Sequence, residues 1–164
     1  MITQITAIPK LYIGIDIHKR SWKVHCATDL FAGKSFSMSA DPKQLQTYVS
    51  KHFREYEVTT AYEAGCCGYH AHRCFEGYGW RSLVVNPTDI HRKGKEKHTK
   101  TDKIDAQLIA RELKDGRLES IIIPNKKREE LRSLFRRRND LVKDFRRVKS
   151  YIKMQLLYFV IKEP

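Results

Sequence analysis

The stretch Leu11-Tyr12-Ile13-Gly14-Ile15-Asp16-Ile17 constrains this chain more than any other segment. Its β-branched and aromatic run reads as a buried strand, interrupted by one carboxylate. An acid between Ile15 and Ile17 is costly to bury unless something positive pairs with it. The chain is therefore expected to build a sheet whose first strand carries an acid in search of a cation.

The following segments supply that sheet. Trp22 to Ala27 alternates and suggests a hairpin partner for the first strand, and Lys34 to Met38 alternates again as a third antiparallel strand. Asp41-Pro42 opens a helix, with Asp41 as N-cap, Pro42 at the first helical position, and Leu45, Tyr48, Val49 and Phe53 on one face. Val58 to Glu63 reads as a fourth strand, Cys67 to Tyr78 as a short helix, and Trp80 to Val85 as a fifth strand ended by Asn86-Pro87. Antiparallel strands followed by strand–helix–strand alternation give a mixed sheet with helices on its faces. The fold class expected is α/β, with the element order that begins a ribonuclease-H-like fold.

Beyond this, Asp102 to Asp115 has helical periodicity through Ile104, Leu108, Ile109 and Leu113, and Gly116 stops it. Lys126 to about Ile161 reads as one long helix with an apolar stripe at Leu131, Phe135, Val142, Phe145, Val148, Ile152, Leu156 and Phe159, broken near Arg138. At 1.5 Å per residue it would be roughly 50 Å long. A helix of that length needs something to lie against, which predicts a coiled-coil arm and a homo-oligomer; the plainer reading folds it back on the sheet. The boundaries expected are 1–124 for the sheet domain and 125–164 for the arm.

Charge locates the partner surface. Of 32 Lys and Arg against 19 Asp and Glu, residues 86–164 hold 22 and 12, leaving the first half nearly balanced. A net charge of +13 points to a polyanion, and nucleic acid is the common one. No apolar run approaches a membrane span, and no secretory leader is evident, so a cytoplasmic location is expected. Candidate phosphate contacts are Lys93, Lys95, Lys97 and Lys100 in the polar segment before Asp102, and Arg136, Arg137, Arg138, Arg146 and Arg147 along the long helix.

Four acids stand out: Asp16, Glu63 at the end of the fourth strand, and Asp102 with Asp105, which share a helix face three residues apart. Convergent carboxylates repel unless cations sit among them, and an all-oxygen donor set suits Mg²⁺ or Mn²⁺. Two such ions can stabilise both the attacking and the leaving oxygen of a phosphodiester displacement. On spacing alone, Asp102 could instead be a helix N-terminal charge meeting the dipole, and Glu63 a surface residue.

The segments Tyr12-Ile13-Gly14-Ile15-Asp16-Ile17-His18-Lys19, Tyr62-Glu63-Ala64-Gly65 with Gly68-Tyr69, Val85-Asn86-Pro87 and Lys100-Thr101-Asp102-Lys103-Ile104-Asp105-Ala106 together resemble one family. It is the DEDD transposases of the insertion-sequence-110 type, whose N-terminal domain is RuvC-like. The resemblance runs in order from about Tyr12 to Phe159, and Lys-Thr-Asp-x-x-Asp-Ala is its most specific part. It implies that Asp16, Glu63, Asp102 and Asp105 are catalytic metal ligands, that DNA is the substrate, and that a bridge RNA guides the reaction. It also implies a catalytic serine in a further C-terminal domain, so these 164 residues are expected to bind metal and nucleic acid without being a complete recombinase. Two other readings stay open: a stand-alone structure-selective nuclease using water, and a non-enzymatic nucleic-acid-binding dimerisation module.

Some signals carry less. Cys66, Cys67, His70, His72 and Cys74 crowd together, and Cys67, His70 and Cys74 would share a face of the expected helix. One helix rarely closes a tetrahedral zinc site, so small semi-buried thiols are the better reading. His18 could reach the acidic site and Lys19 a phosphate, although strand-end scaffold roles suffice for both. Trp22 and Trp80 read as core.

Overall fold

The computed structural model describes residues 8–31, 33–65, 67–90 and 102–162, with side chains from Asp105 onward in the last segment. Its contacts divide into two units, Met1–Ile122 and Ile123–Pro164.

The first unit is a mixed α/β layer structure around five strands: β1 (Lys10–Ile17), β2 (Ser21–Thr28), β3 (Lys34–Ser39), β4 (Glu57–Glu63) and β5 (Arg81–Val85). Their spatial order is β3-β2-β1-β4-β5. β1, β2 and β3 pair antiparallel, while β4 lies parallel to β1 and β5 parallel to β4. Three helices, α1 (Pro42–His52), α2 (His70–Gly77) and α3 (Asp102–Lys114), belong to this unit. The mixed sheet agrees with the strand order read from the sequence.

Strand alternation sorts the sheet into two faces. On one, Leu11, Ile13 and Ile15 are fully buried with Val24 and Tyr62, and α1 and α2 cover them. Trp22 meets Phe75 of α2 edge-on at 6.1 Å, and Phe36 meets Tyr48 of α1 at 4.5 Å. Trp80 stacks on Phe75 at 5.6 Å, so both tryptophans pack against the core. α1 begins where Asp41 accepts a hydrogen bond from the Lys43 amide at 2.9 Å, the N-cap expected ahead of Pro42.

The opposite face belongs to α3. Ala61, Leu83 and Val85 form one apolar cluster with Leu108, Ile109, Leu113, Ile90 and Leu118, joined by Tyr12. Fully burying a side chain such as Ile109 contributes about 1.5–3 kcal/mol, so this cluster holds α3 firmly against β1 and β4. The outer edge of β5 is occupied by the chain after α3: Ile121 N donates to Val84 O at 2.8 Å, and Val84 N donates to Ser120 Oγ at 3.2 Å.

α2 departs from the expected Cys67–Tyr78 helix by starting three residues later. Gly68 has a φ of 63°, a left-handed conformation that a helix cannot continue through, so Cys67 to Tyr69 form a turn. Cys67 therefore does not share a helix face with His70 and Cys74. Among the described residues, no three His, Cys, Asp or Glu side chains group as metal ligands, and no helix is long and apolar enough to cross a membrane.

The second unit is essentially α4 (Lys126–Tyr158), 33 residues long. Asn125 caps it by accepting from Arg128 N at 2.8 Å. No α4 residue is buried, and Phe135, Phe145, Val148 and Ile152 of the apolar stripe are each more than half exposed. The helix thus presents an uncovered apolar stripe beside its arginines.

Candidate metal and nucleic-acid site

The site is built on a close approach that only glycine permits. A Cβ added at Gly14 would lie 2.2 Å from Ala106 O and 2.5 Å from Ala110 N. The α3 backbone therefore rests directly on β1, with the small Ala106 and Ala110, one turn apart, as the contact. Asp16 is two residues beyond Gly14 and so shares its face of the strand. Asp105 directly precedes Ala106 in the helix and is half-buried. The Gly-x-Asp pattern of β1 and the Asp-Ala step of α3 are thus two halves of one contact.

The parallel register brings in Glu63. Ile15 pairs with Tyr62, so Asp16 and Glu63 are the next residues at the C-terminal ends of neighbouring strands. Glu63 shares its face with Ala61, the face that α3 covers. Asp16 and Glu63 therefore lie at one end of the face that α3 covers, and Asp105 lies near the start of α3, each half-buried; the three do not group as metal ligands in this structure. Asp102 is the first residue of α3, three before Asp105; its side chain lies outside the described residues. Lys93, Lys95, Lys97 and Lys100 also lie outside them. Arg136, Arg137, Arg138, Arg146 and Arg147 are all exposed on α4, and Arg147 reaches Asp144 at 3.0 Å.

Neighbouring groups hold this end in place. His18 Nε2 donates to Asp16 Oδ2 at 3.1 Å. Lys23 of β2 pairs in register with Asp16, and its ammonium donates to Ser37 Oγ at 2.6 Å. The Tyr62 hydroxyl donates to Gly68 O at 3.2 Å and accepts from His72 N at 3.3 Å, tying the β4 end to the turn into α2. Burial pushes that phenol up to about 12, so it stays a neutral tether next to Glu63. Lys23 gives no site signal in the sequence, where alternation makes it one more polar strand residue; only the strand register sets it opposite Asp16.

The donor chemistry suits a hard cation. The candidates are all carboxylates, the donor type that hard divalent cations take, and the glycine cradle keeps the helix that carries two of the four at the strand that carries the first.

A family model for the DEDD transposases of the IS110 family, described as a transposase, matches residues 13–160. A Sinorhizobium fredii protein named as a transposase, y4qE, is 33% identical over 100 residues, which cover 61% of this chain and 25% of that protein. The chain thus spans about a quarter of the length of that relative. With the family match running from β1 through α4, this chain belongs to the DEDD transposases of the IS110 family.

Proposed function

We propose that this chain carries the catalytic, ribonuclease-H-like (RuvC-like) domain of a DNA transposase or recombinase, together with a basic helical arm. The single observation that carries the reading is the Gly14 contact, which packs the start of the Asp102–Lys114 helix against the strand bearing Asp16, within a chain of transposase family. Asp16, Glu63, Asp102 and Asp105 would hold two Mg²⁺ or Mn²⁺ ions. Bound there, the ions would polarise a DNA phosphodiester and stabilise its attacking and leaving oxygens.

The protein's own groups orient and insulate the reaction. His18 holds one Asp16 oxygen and so orients that carboxylate. The α3 cluster excludes water from beneath the carboxylates, and Tyr62 fixes the turn that follows Glu63. The nucleophile in this reading is a serine from outside the 164 residues, and a bridge RNA would select the DNA. Lys93, Lys95, Lys97 and Lys100, with the arginines of α4, would contact phosphates of DNA or RNA without reading sequence. The uncovered stripe of α4 would pair with a second copy as a coiled coil.

The test uses this chain with branched DNA and Mg²⁺. The reading predicts metal-dependent DNA binding that weakens in Asp16→Ala, and no strand transfer. Cleavage of branched DNA abolished by Asp16→Ala would favour a stand-alone nuclease. Nucleic-acid binding indifferent to Mg²⁺ and to Asp102→Ala would favour a non-enzymatic module.

A further inference from the structure

The sheet row that carries Asp16 continues outward to the margin of the sheet. Lys23 pairs with Asp16 across β1 and β2, and Ser37 pairs with Lys23 across β2 and β3. One row behind, His25 pairs with Gly14 and Ser35 with His25. These residues alternate onto the same face as Asp16. They are already linked by polar contacts: Lys23 Nζ donates to Ser37 Oγ at 2.6 Å, His25 Nδ1 lies 2.7 Å from Ser35 Oγ, and Gln107 Nε2 of α3 donates to that same hydroxyl at 3.1 Å. Lys23, Ser35, Ser37 and Ala106 line a cavity of about 140 Å³, beside the α3 residue that rests on Gly14.

Three features give this cavity a chemistry. Lys23 is half-buried, and its ammonium contact here is a neutral hydroxyl, so an anion placed beside it would gain a charge-assisted bond. The donors are an ammonium and two serine hydroxyls, groups that supply contacts to phosphate oxygens. Lys23 is also directly opposite Asp16, with Cβ atoms of such a pair about 4.5–5.5 Å apart, so an anion held there adjoins the carboxylate end.

We propose that Lys23, Ser35 and Ser37 form a subsite for a DNA phosphodiester flanking the reacting one. The strand then leaves the carboxylate end across β2 and β3, with Gln107 and His25 orienting Ser35. The subsite rests on the reading of Asp16, Glu63, Asp102 and Asp105 as a phosphodiester-processing centre, but it acts through binding and is separable from metal chemistry.

The experiment measures binding of a labelled duplex DNA to this chain across a salt series, with Ca²⁺ replacing Mg²⁺. Lys23→Ala should weaken binding roughly tenfold and reduce the slope of log affinity against log salt by about 0.9, the loss of one phosphate contact. Lys23→Arg should restore the slope, and Ser37→Ala should weaken binding without changing it. Lys23→Gln, which can still reach Ser37, guards against a folding defect: it should match Lys23→Ala in slope while unfolding at the wild-type temperature. Wild-type affinity and slope in Lys23→Ala and Lys23→Gln would overturn the subsite. Should Asp16→Asn retain full Mn²⁺ binding while Lys23→Ala loses its slope, the metal reading fails and the subsite stands.

Discussion

Replacing Gly14 with alanine adds one methyl group at the point where the site is assembled. That carbon would lie 2.2 Å from Ala106 O and 2.5 Å from Ala110 N, against 3.4–4 Å for an ordinary contact. Both atoms are helix backbone, so relief requires α3 or β1 to move by roughly 1 Å. Overpacking of this kind costs about 1–3 kcal/mol, which for a chain of this size lowers the unfolding midpoint by roughly 2–12 °C. The same displacement separates Asp105 from Asp16, and a misplacement of about 1 Å at a reacting centre can cost ~10²-fold in rate. Gly77→Ala is the matched control: nothing lies within 4 Å of its added carbon and its φ is not positive, so it should be neutral or stabilise by about 0.5–1 kcal/mol. Urea unfolding and Mn²⁺ titration of the two variants read both effects. A Gly14→Ala protein with wild-type stability and wild-type Mn²⁺ affinity would refute the idea that this contact sets the site.

Other outcomes follow from the same structure. Burial pushes the Cys26 thiol from 9.0 up to about 12 and the Tyr62 phenol from 10.0 up to about 12. The folded state thus binds these protons more tightly, and stability should be complete below pH 9.0 and fall as pH rises toward about 12, as followed by circular dichroism. In native protein, Cys26 should resist alkylation while the less buried Cys67 and Cys74 react first, which mass spectrometry can time. Glu112 is 1% exposed and receives both Nε and NH2 of Arg117, at 2.7 and 2.9 Å. Arg117→Ala should lower the melting temperature by removing both of these bonds from a buried carboxylate, and Arg117→Lys should restore it only in part because the fork is lost. Phe145→Asp, in the middle of the uncovered α4 stripe, should shift sedimentation toward monomer without changing the melting of the sheet unit. Unchanged sedimentation would argue against a helix-paired assembly.

Much of the fold was legible because its signals are local. Asp41-Pro42 marks a helix start by capping and fixed φ, and the β-branched runs of β1, β4 and β5, bounded by turn residues, mark strands. α2 starts later than the helical periodicity of Cys67 to Tyr78 implies because Gly68 adopts a left-handed φ, and composition does not reveal which glycine turns. Asp16 and Glu63 stand out in the sequence as acids among apolar strand residues. Lys23, Ser35 and Ser37 do not, because their placement depends on register across three strands. Gly14 is intermediate: a glycine inside a strand signals a close approach, but not that the visitor is the helix carrying Asp102 and Asp105.

The central claim is that acids from β1, β4 and α3 share one cation site. Titrating Mn²⁺ into this chain by electron paramagnetic resonance tests it directly, comparing the wild type with Asp16→Asn, Glu63→Gln and Asp105→Asn. The account predicts saturable binding in the wild type and a loss of about tenfold or more in affinity in each variant, with melting temperatures unchanged in the absence of metal. Equal Mn²⁺ affinity in the wild type and all three variants would contradict it.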